Sequence, residues 1–187
     1  SACTTWGVLD YQDKGINHMI LLDYWMGKVQ YPELKKMVVR LANNYHDIDM
    51  DNPQKPTTGY EPHMILIESA MNGKSLIQDL QLKGIFAVPF NTHKYRGKVA
   101  RAGIASAMIE SGRIWLPGLP PSYYKFRRFA EDFADMCALF PNSDEVMDIV
   151  DTTSQAIIKM KESGRLQEPG DTWFKVVEVP ERDVTYY

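Results

Sequence analysis

Apolar and polar positions along the chain predict a strand hairpin followed by alternating helices and strands. Two strand-like runs, 4–9 and 18–24, flank a polar segment with one glycine, which is typical of a hairpin connection. Apolar residues spaced three and four apart then predict amphipathic helices. The predicted helices cover 32–41, 76–82, 102–111, 123–140 and 142–163, and the further strands cover 64–67, 84–90 and 112–117. This order favours an α/β fold in which helices flank a mixed β-sheet.

The strand at 64–67 is the most informative stretch, because a carboxylate, Glu68, follows it directly. A turn containing Asn72 and Gly73 leads from Glu68 into the next predicted helix. In open sheets with crossover helices, ligands and catalytic groups collect at the carboxyl ends of the strands. Glu68 is therefore a candidate catalytic residue; the alternative interpretation is that it only ends the strand at the surface.

The triplet Gly73-Lys74-Ser75 raises the hypothesis of a phosphate-binding loop. The full motif requires a glycine five positions before Gly73, and that position holds Glu68. A carboxylate there would repel phosphate, and its side chain would crowd the backbone N–H groups that cradle the ligand. A P-loop-type NTPase is therefore a minor alternative.

A second group of acids opens the last predicted helix, where Asn142 and Glu145 have the spacing of a capping box. Asp144 and Asp148 are four residues apart and are predicted to share one helix face, which Asp151 extends. Acids in a first turn complement the helix dipole, but a row of like charges at this spacing is destabilising. A divalent cation would remove that repulsion, and Mg2+ or Mn2+ prefers carboxylate oxygens.

Composition places the chain among ordinary globular domains. Its 187 residues are 44% hydrophobic and 24% charged, as in average globular proteins, and the chain is long enough to bury a substantial core. Cys3 and Cys137 form no CxxC or Cys/His cluster, which suggests a reducing compartment and no structural zinc. The sequence contains no apolar run of membrane-spanning length and no visible signal peptide.

A net charge of −3 does not commit the whole chain to nucleic acid, but a local basic patch would be enough for binding. The densest basic cluster comprises Lys94, Arg96, Lys98 and Arg101. Such a cluster holds a DNA backbone without reading its sequence. The alternative is a solvated basic loop.

Seven short motifs occur in order between residues 1 and 158. They are Ala2-Cys-Thr-Thr-Trp-Gly-Val; Leu21-Leu22-Asp23; Tyr31-Pro-Glu-Leu; Leu66-Ile67-Glu68 with Asn72-Gly73 and Leu76-Ile77; Lys98-Val-Ala-Arg101-Ala; Glu110-Ser-Gly-Arg-Ile-Trp-Leu-Pro117; and Phe140-Pro141 with Asp144-Glu145-Val-Met-Asp148. In order and spacing they resemble the C-terminal nuclease domain of the large terminase subunit of tailed bacteriophages and prophages. The resemblance implies a ribonuclease-H-like fold and the cutting of concatemeric DNA during capsid packaging.

The resemblance also implies a site. Glu68, Asp144 and Asp148 match acidic residues that would hold two Mg2+ or Mn2+ ions, which activate a water and stabilise the leaving 3′ oxygen. Glu145 stands where the family pattern has a second Asp. Lys98 and Arg101 match a basic pair beside the DNA path, and Lys94 and Arg96 extend it.

One departure lies at the start of the chain. The first metal-binding Asp of the family sits on a strand just upstream of the stretch matched by 1–3, and neither Asp10 nor Asp23 matches that position. The ATPase domain expected further upstream is also absent from this sequence. We therefore expect an excised nuclease domain that lacks its first catalytic strand.

The sequence thus predicts a ribonuclease-H-like nuclease domain at 1–163 and a C-terminal tail at 164–187, with one possible strand at 173–179. The predicted activity is metal-dependent endonucleolytic cleavage of duplex DNA in the cytoplasm of the bacterial host. The expected partners are double-stranded DNA and, in the full-length protein, the ATPase domain, the small terminase subunit and the portal, with no membrane association. The alternatives are a non-catalytic ribonuclease-H-like module that binds DNA or partners, and the P-loop-type NTPase.

Overall fold

The fold begins with the predicted hairpin. A computed structural model describes the chain over residues 1–11, 16–43, 62–70, 72–117 and 128–167. Strand β1 (Ala2–Tyr11) pairs antiparallel with strand β2 (Ile16–Met26), and the register shifts between Thr5 and Trp6. Side chains along β2 alternate between a buried face and an exposed face of the strand. Leu21 is 0% exposed, whereas its neighbour Leu22 is 44% exposed.

Helices and short strands then alternate through the rest of the described chain. They are α1 (Tyr31–Ala42), β3 (Ile65–Glu68), α2 (Asn72–Gln81), β4 (Ala87–Phe90), α3 (Lys98–Glu110), β5 (Ile114–Trp115), α4 (Arg128–Ala138) and α5 (Met147–Glu162). Two 3-10 turns, Thr92–Lys94 and Asp144–Val146, precede α3 and α5. No helix within the described ranges is both long enough and apolar enough to cross a membrane.

The described strands form two sheets. In the first, β2 lies between β1, which runs antiparallel to it, and β5, which runs parallel to it. In the second, β3 and β4 are parallel, and Glu68 lies beside Phe90 at their carboxyl ends. The predicted α/β architecture with a mixed sheet is confirmed.

Three apolar clusters hold the helices on these sheets. Met19 of β2 packs with α3 and α5 through Met108 and Ile157. Leu21, two residues further along β2, packs with α4 and α5 through Phe133 and Ile149. A third cluster joins α1 and α2 to β3 and β4 around Leu76, Leu80 and Ala87. Helix α5 therefore takes part in both clusters beneath β2.

The start of α5 differs from the prediction. The α-helix begins at Met147, and its N-cap is Val146, which has no side-chain acceptor, so the predicted helix start at Asn142 is wrong. Val146 is 4% exposed and belongs to the cluster around Leu21. Burying a valine is worth about 1.5–3 kcal/mol, whereas a side-chain N-cap is worth only about 1 kcal/mol. The core contact therefore determines where the helix begins.

Other predicted elements fall partly or wholly outside the described residues. The described part of the predicted helix at 123–140 is α4, and residues 118–127 are not described. The possible strand at 173–179 and the tail from 168 also lie outside the described ranges.

The close junction between β3 and α2 explains why residue 73 is a glycine. A Cβ atom at this position would lie 1.8 Å from the carbonyl oxygen of Glu68, so only glycine lets the helix approach the strand end this closely. Only residues 69–71 separate β3 from α2, and Lys74 is exposed within the first turn of the helix. This geometry gives no support to a phosphate-binding loop, because Gly73 serves close packing against Glu68.

We predict that Gly73→Ala destabilises the protein, because either the helix or Glu68 has to move to relieve the clash. The expected loss in the free energy of unfolding is about 1–3 kcal/mol, measured by chemical denaturation. Gly103→Ala is the matched control, since a Cβ there meets no atom within 4 Å in the middle of α3. That control should stabilise the protein by about 0.5–1 kcal/mol; equal effects of the two variants would contradict the packing role of Gly73.

Candidate active site

The site centres on the contact between the end of β3 and the middle of α5. Glu68 is the last residue of β3 and is half-buried. The Nε2 atom of Gln155, a residue of α5 that is only 5% exposed, donates a hydrogen bond to Glu68 Oε2 at 3.4 Å. The acid at the strand end therefore contacts the final helix directly.

Gln155 shares its helix face with two acids. Asp148, Asp151 and Gln155 are spaced three and four residues apart in α5, so they form one row along the helix. Asp151 is 5% exposed, whereas the side chain of Asp148 is 53% exposed. The row therefore runs from solvent at Asp148 to the partly buried contact with Glu68.

A buried ion pair neutralises the middle of this row. Arg101 of α3 donates to Asp151 Oδ1 through Nε at 2.9 Å and also through Nη2. Arg101 is 4% exposed, so water screens this pair little. The ion pair ties α3 to α5.

Asp148 also has cationic partners. The α-amino nitrogen of Ser1 lies 3.0 Å from Asp148 Oδ2, and Lys98 Nζ lies 3.6 Å from Oδ1. Partial burial alone would raise the pKa of Asp148, but the hydrogen bonds and positive charges of Ser1 and Lys98 outweigh it and lower the pKa below its usual value. Asp148 is therefore ionised at neutral pH.

These contacts bear on two expectations from the sequence. A divalent cation was expected to relieve the repulsion between Asp148 and Asp151, and Arg101 and Lys98 already place positive charge beside these acids. Arg101 was also predicted to contact DNA. Its guanidinium group is buried against Asp151, and its contact with DNA stays a prediction.

Asp144 lies apart from the row. It is exposed in the 3-10 turn Asp144–Val146 and precedes α5, so the prediction that it shares a face of one α-helix with Asp148 is wrong. Its role as a metal ligand stays a prediction.

The four residues of the basic cluster differ in how far they are exposed. Arg96 is exposed, and the side chain of Lys94 is 65% exposed with its Nζ 3.6 Å from Glu162 Oε1. The hydroxyl of Tyr95 donates to the same Glu162 oxygen at 2.7 Å. Burial and this hydrogen bond raise the pKa of Tyr95 to about 12, so the hydroxyl remains a donor. Lys94 and Arg96 are thus exposed at the surface, with Lys94 beside Glu162 at the end of α5, while Lys98 and Arg101 face Asp148 and Asp151.

Thiol chemistry is not available to this site. Cys3 and Cys137 are both free cysteines. Burial, with a smaller contribution from Asp23, raises the pKa of Cys3 to about 11, and burial raises the pKa of Cys137 to about 11. Both thiols are therefore protonated at neutral pH and are poor nucleophiles.

Comparison with known proteins identifies the family. Residues 12–160 match the family of the terminase RNaseH-like domain. The chain belongs to this family. No curated protein and no solved structure gives a significant match. The resemblance to a terminase nuclease domain and the ribonuclease-H-like fold are thus confirmed, and the chain is a nuclease-type module of a terminase.

The described acids do not fit the two-cation site that such a domain is expected to carry. Within the described ranges, no three histidine, cysteine, aspartate or glutamate side chains are grouped closely enough to hold a metal ion. Glu68 is bonded to Gln155, and Asp148 and Asp151 each face positive groups. The terminase domain therefore balances the charges of Asp148 and Asp151 with its own residues and holds Glu68 by a hydrogen bond from an uncharged amide.

Sequence reasoning missed Gln155, because an isolated glutamine in a helix carries no recognisable pattern. Asp151 was identified as part of the acidic row, but the sequence could not identify Arg101, fifty residues away, as its partner.

We predict that Arg101→Met strongly destabilises the terminase domain, because it leaves Asp151 buried without its hydrogen-bonded counter-charge and with only the partly exposed Lys98 nearby. The expected loss in the free energy of unfolding is about 3–5 kcal/mol, measured by urea denaturation. Lys94→Met, which breaks the exposed pair with Glu162, is the control and should cost at most about 1 kcal/mol.

The double variant Arg101→Met, Asp151→Leu tests the cause. It removes both buried charges and should recover most of the stability lost in Arg101→Met. A double variant as unstable as Arg101→Met would show that Arg101 acts through packing and not through the charge of Asp151.

Proposed function

We propose that this chain is the endonuclease module of a phage or prophage packaging terminase and hydrolyses phosphodiester bonds of concatemeric duplex DNA. Membership of the terminase RNaseH-like family supports a nuclease. The single observation that carries the proposal is the hydrogen bond from Gln155 to Glu68, which brings the acid at the end of β3 onto the acid-bearing face of α5. Acids from separate elements have to converge in this way before they can act on one phosphodiester.

We propose further that cleavage depends on Mg2+ or Mn2+, with Glu68, Asp144 and Asp148 as the candidate ligands. Carboxylate oxygens suit these ions, and such ions would offset the charge of a DNA backbone approaching the acids. The described acids do not by themselves form a site for two ions, so no catalytic step is assigned to a metal. The two-ion mechanism remains a prediction.

DNA would approach along the exposed part of the basic cluster. Lys94 and Arg96 follow the end of β4, which lies beside the end of β3 and Glu68. Their contacts with phosphates would position duplex DNA without reading its sequence. The proposed partners in the full-length protein are the ATPase domain, the small terminase subunit and the portal, and the proposed location is the host cytoplasm.

A non-catalytic module that binds DNA or a partner is the second candidate. The observation that favours it is the neutralisation of Asp148 and Asp151 by Lys98 and Arg101. Such a module would bind DNA through the basic cluster and leave the backbone uncut.

Nicking of supercoiled plasmid tests the nuclease. We expect nicking that requires Mn2+ or Mg2+, and Glu68→Gln should slow it by more than about 100-fold, since even residues that only support a metal ligand cost about 10–100-fold. Glu110→Gln is the matched control, because this exposed glutamate lies at the far end of α3, about 18 Å along the helix from Lys98. DNA binding without nicking by the native chain would favour the non-catalytic module.

Salt-dependent binding of a labelled duplex tests the basic cluster. Lys94→Ala and Arg96→Ala should each weaken binding and reduce the slope of log K against log salt by about 0.9, because each removes one phosphate contact. Lys83→Ala removes the same charge from the exposed turn that precedes β4, away from the strand ends, and should leave the slope unchanged. Equal slopes for all three variants would exclude Lys94 and Arg96 from the DNA interface.

A further inference from the structure

Lys98 lies between the two acids of the row. Its Nζ atom is 3.6 Å from Asp148 Oδ1 and 3.9 Å from Asp151 Oδ2. The other oxygen of Asp151, Oδ1, is bound by Arg101. Lys98 and Arg101 therefore supply one positive charge for each of the two acids.

The position of Lys98 is fixed by its helix. Lys98 is the first residue of α3 and follows Gly97, whose φ of +90° turns the chain into the helix. Arg101, one turn further on, is locked to Asp151 by the buried ion pair. The backbone at Lys98 is thus held against α5. Its side chain therefore extends toward the acids from a fixed position.

Lys98 differs from Arg101 in how easily it can leave. The side chain of Lys98 is 39% exposed, whereas that of Arg101 is 4% exposed. Both distances from Lys98 Nζ exceed the length of a direct charged hydrogen bond, which is about 2.7–2.9 Å. The ammonium group therefore neutralises the two acids as a nearby point charge that solvent can reach.

We infer that Lys98 is an internal counter-ion that occupies the place of a divalent cation between Asp148 and Asp151 and sets the affinity of this pair for such ions. Lys98 and Arg101 already balance the charge of the two acids, so an arriving Mg2+ or Mn2+ gains little net attraction until Lys98 moves away. This accounts for the poor fit of the described acids to a metal site. The inference rests on the proposed function only in taking the ion to be one that a nuclease uses.

Mn2+ binding, followed by loss of the free-ion signal in electron paramagnetic resonance, tests the inference without any cutting assay. Lys98→Met should bind Mn2+ at least about tenfold more tightly than the native chain, because it removes a like charge about 4 Å from the ion. Lys98→Arg keeps the charge and should bind Mn2+ as weakly as the native chain does. Adding Asp148→Asn to Lys98→Met should abolish the gain and so locate the ion.

Lys36→Met is the matched control for net charge. Lys36 is exposed on α1, which packs on α2 and not on α5, and the variant removes the same charge. An equal gain of Mn2+ affinity in Lys36→Met, or no gain of Mn2+ affinity in Lys98→Met, would overturn the inference. Circular dichroism checks that each variant keeps its helices, and Lys98→Gln provides a polar substitution of similar length.

The outcome is separable from that of the nuclease proposal. A gain of Mn2+ affinity in Lys98→Met supports the counter-ion role whether or not plasmid is nicked. Nicking that depends on Glu68, without any change in Mn2+ affinity in Lys98→Met, would support the nuclease and overturn the role given to Lys98.

Discussion

The buried ion pair between Arg101 and Asp151 is the constraint on which the rest of the site depends. An unpaired charge at either position would be costly in a protein interior, so α3 and α5 have to stay in the register that joins them. That register places Lys98 beside the acids and directs Gln155 to Glu68. The arrangement of the site therefore follows from a tertiary contact between two helices, and not from either helix alone.

Helix α5 can carry this pair through the core because the buried hydroxyl groups of Thr153 and Ser154 are satisfied within the helix. The hydroxyls of Thr153 and Ser154 donate to the carbonyl oxygens of Ile149 and Asp151 at 2.7 and 2.9 Å. Ile149 and Ile157, meanwhile, belong to the two apolar clusters beneath β2. Apolar burial thus holds the helix in place, and internal hydrogen bonds remove the penalty for its polar residues.

The sequence predicted those parts of the fold that local pattern determines. The two strands of the hairpin and the strand that ends at Glu68 were predicted correctly, because each depends on neighbouring residues. The turn predicted at Asn72 and Gly73 is wrong, since both residues lie in α2. The start of α5 was also wrong, since the burial of Val146 outweighed a capping signal at Asn142. The burial of Arg101 gave no signal in the sequence, because a basic residue in a basic cluster looks exposed until its partner on another helix is known.

The sequence showed that the acidic row is unusual, but it did not show what balances its charge. Asp148 and Asp151 were expected to need positive charge nearby, and the protein supplies it from two side chains that differ in how firmly they are held. One is permanent: Arg101 cannot leave without stranding a buried carboxylate. The other is exchangeable, because Lys98 is partly exposed and reaches the acids through a long flexible side chain. A row with one permanent and one exchangeable counter-charge can therefore exchange Lys98 for an ion while Arg101 keeps α3 joined to α5.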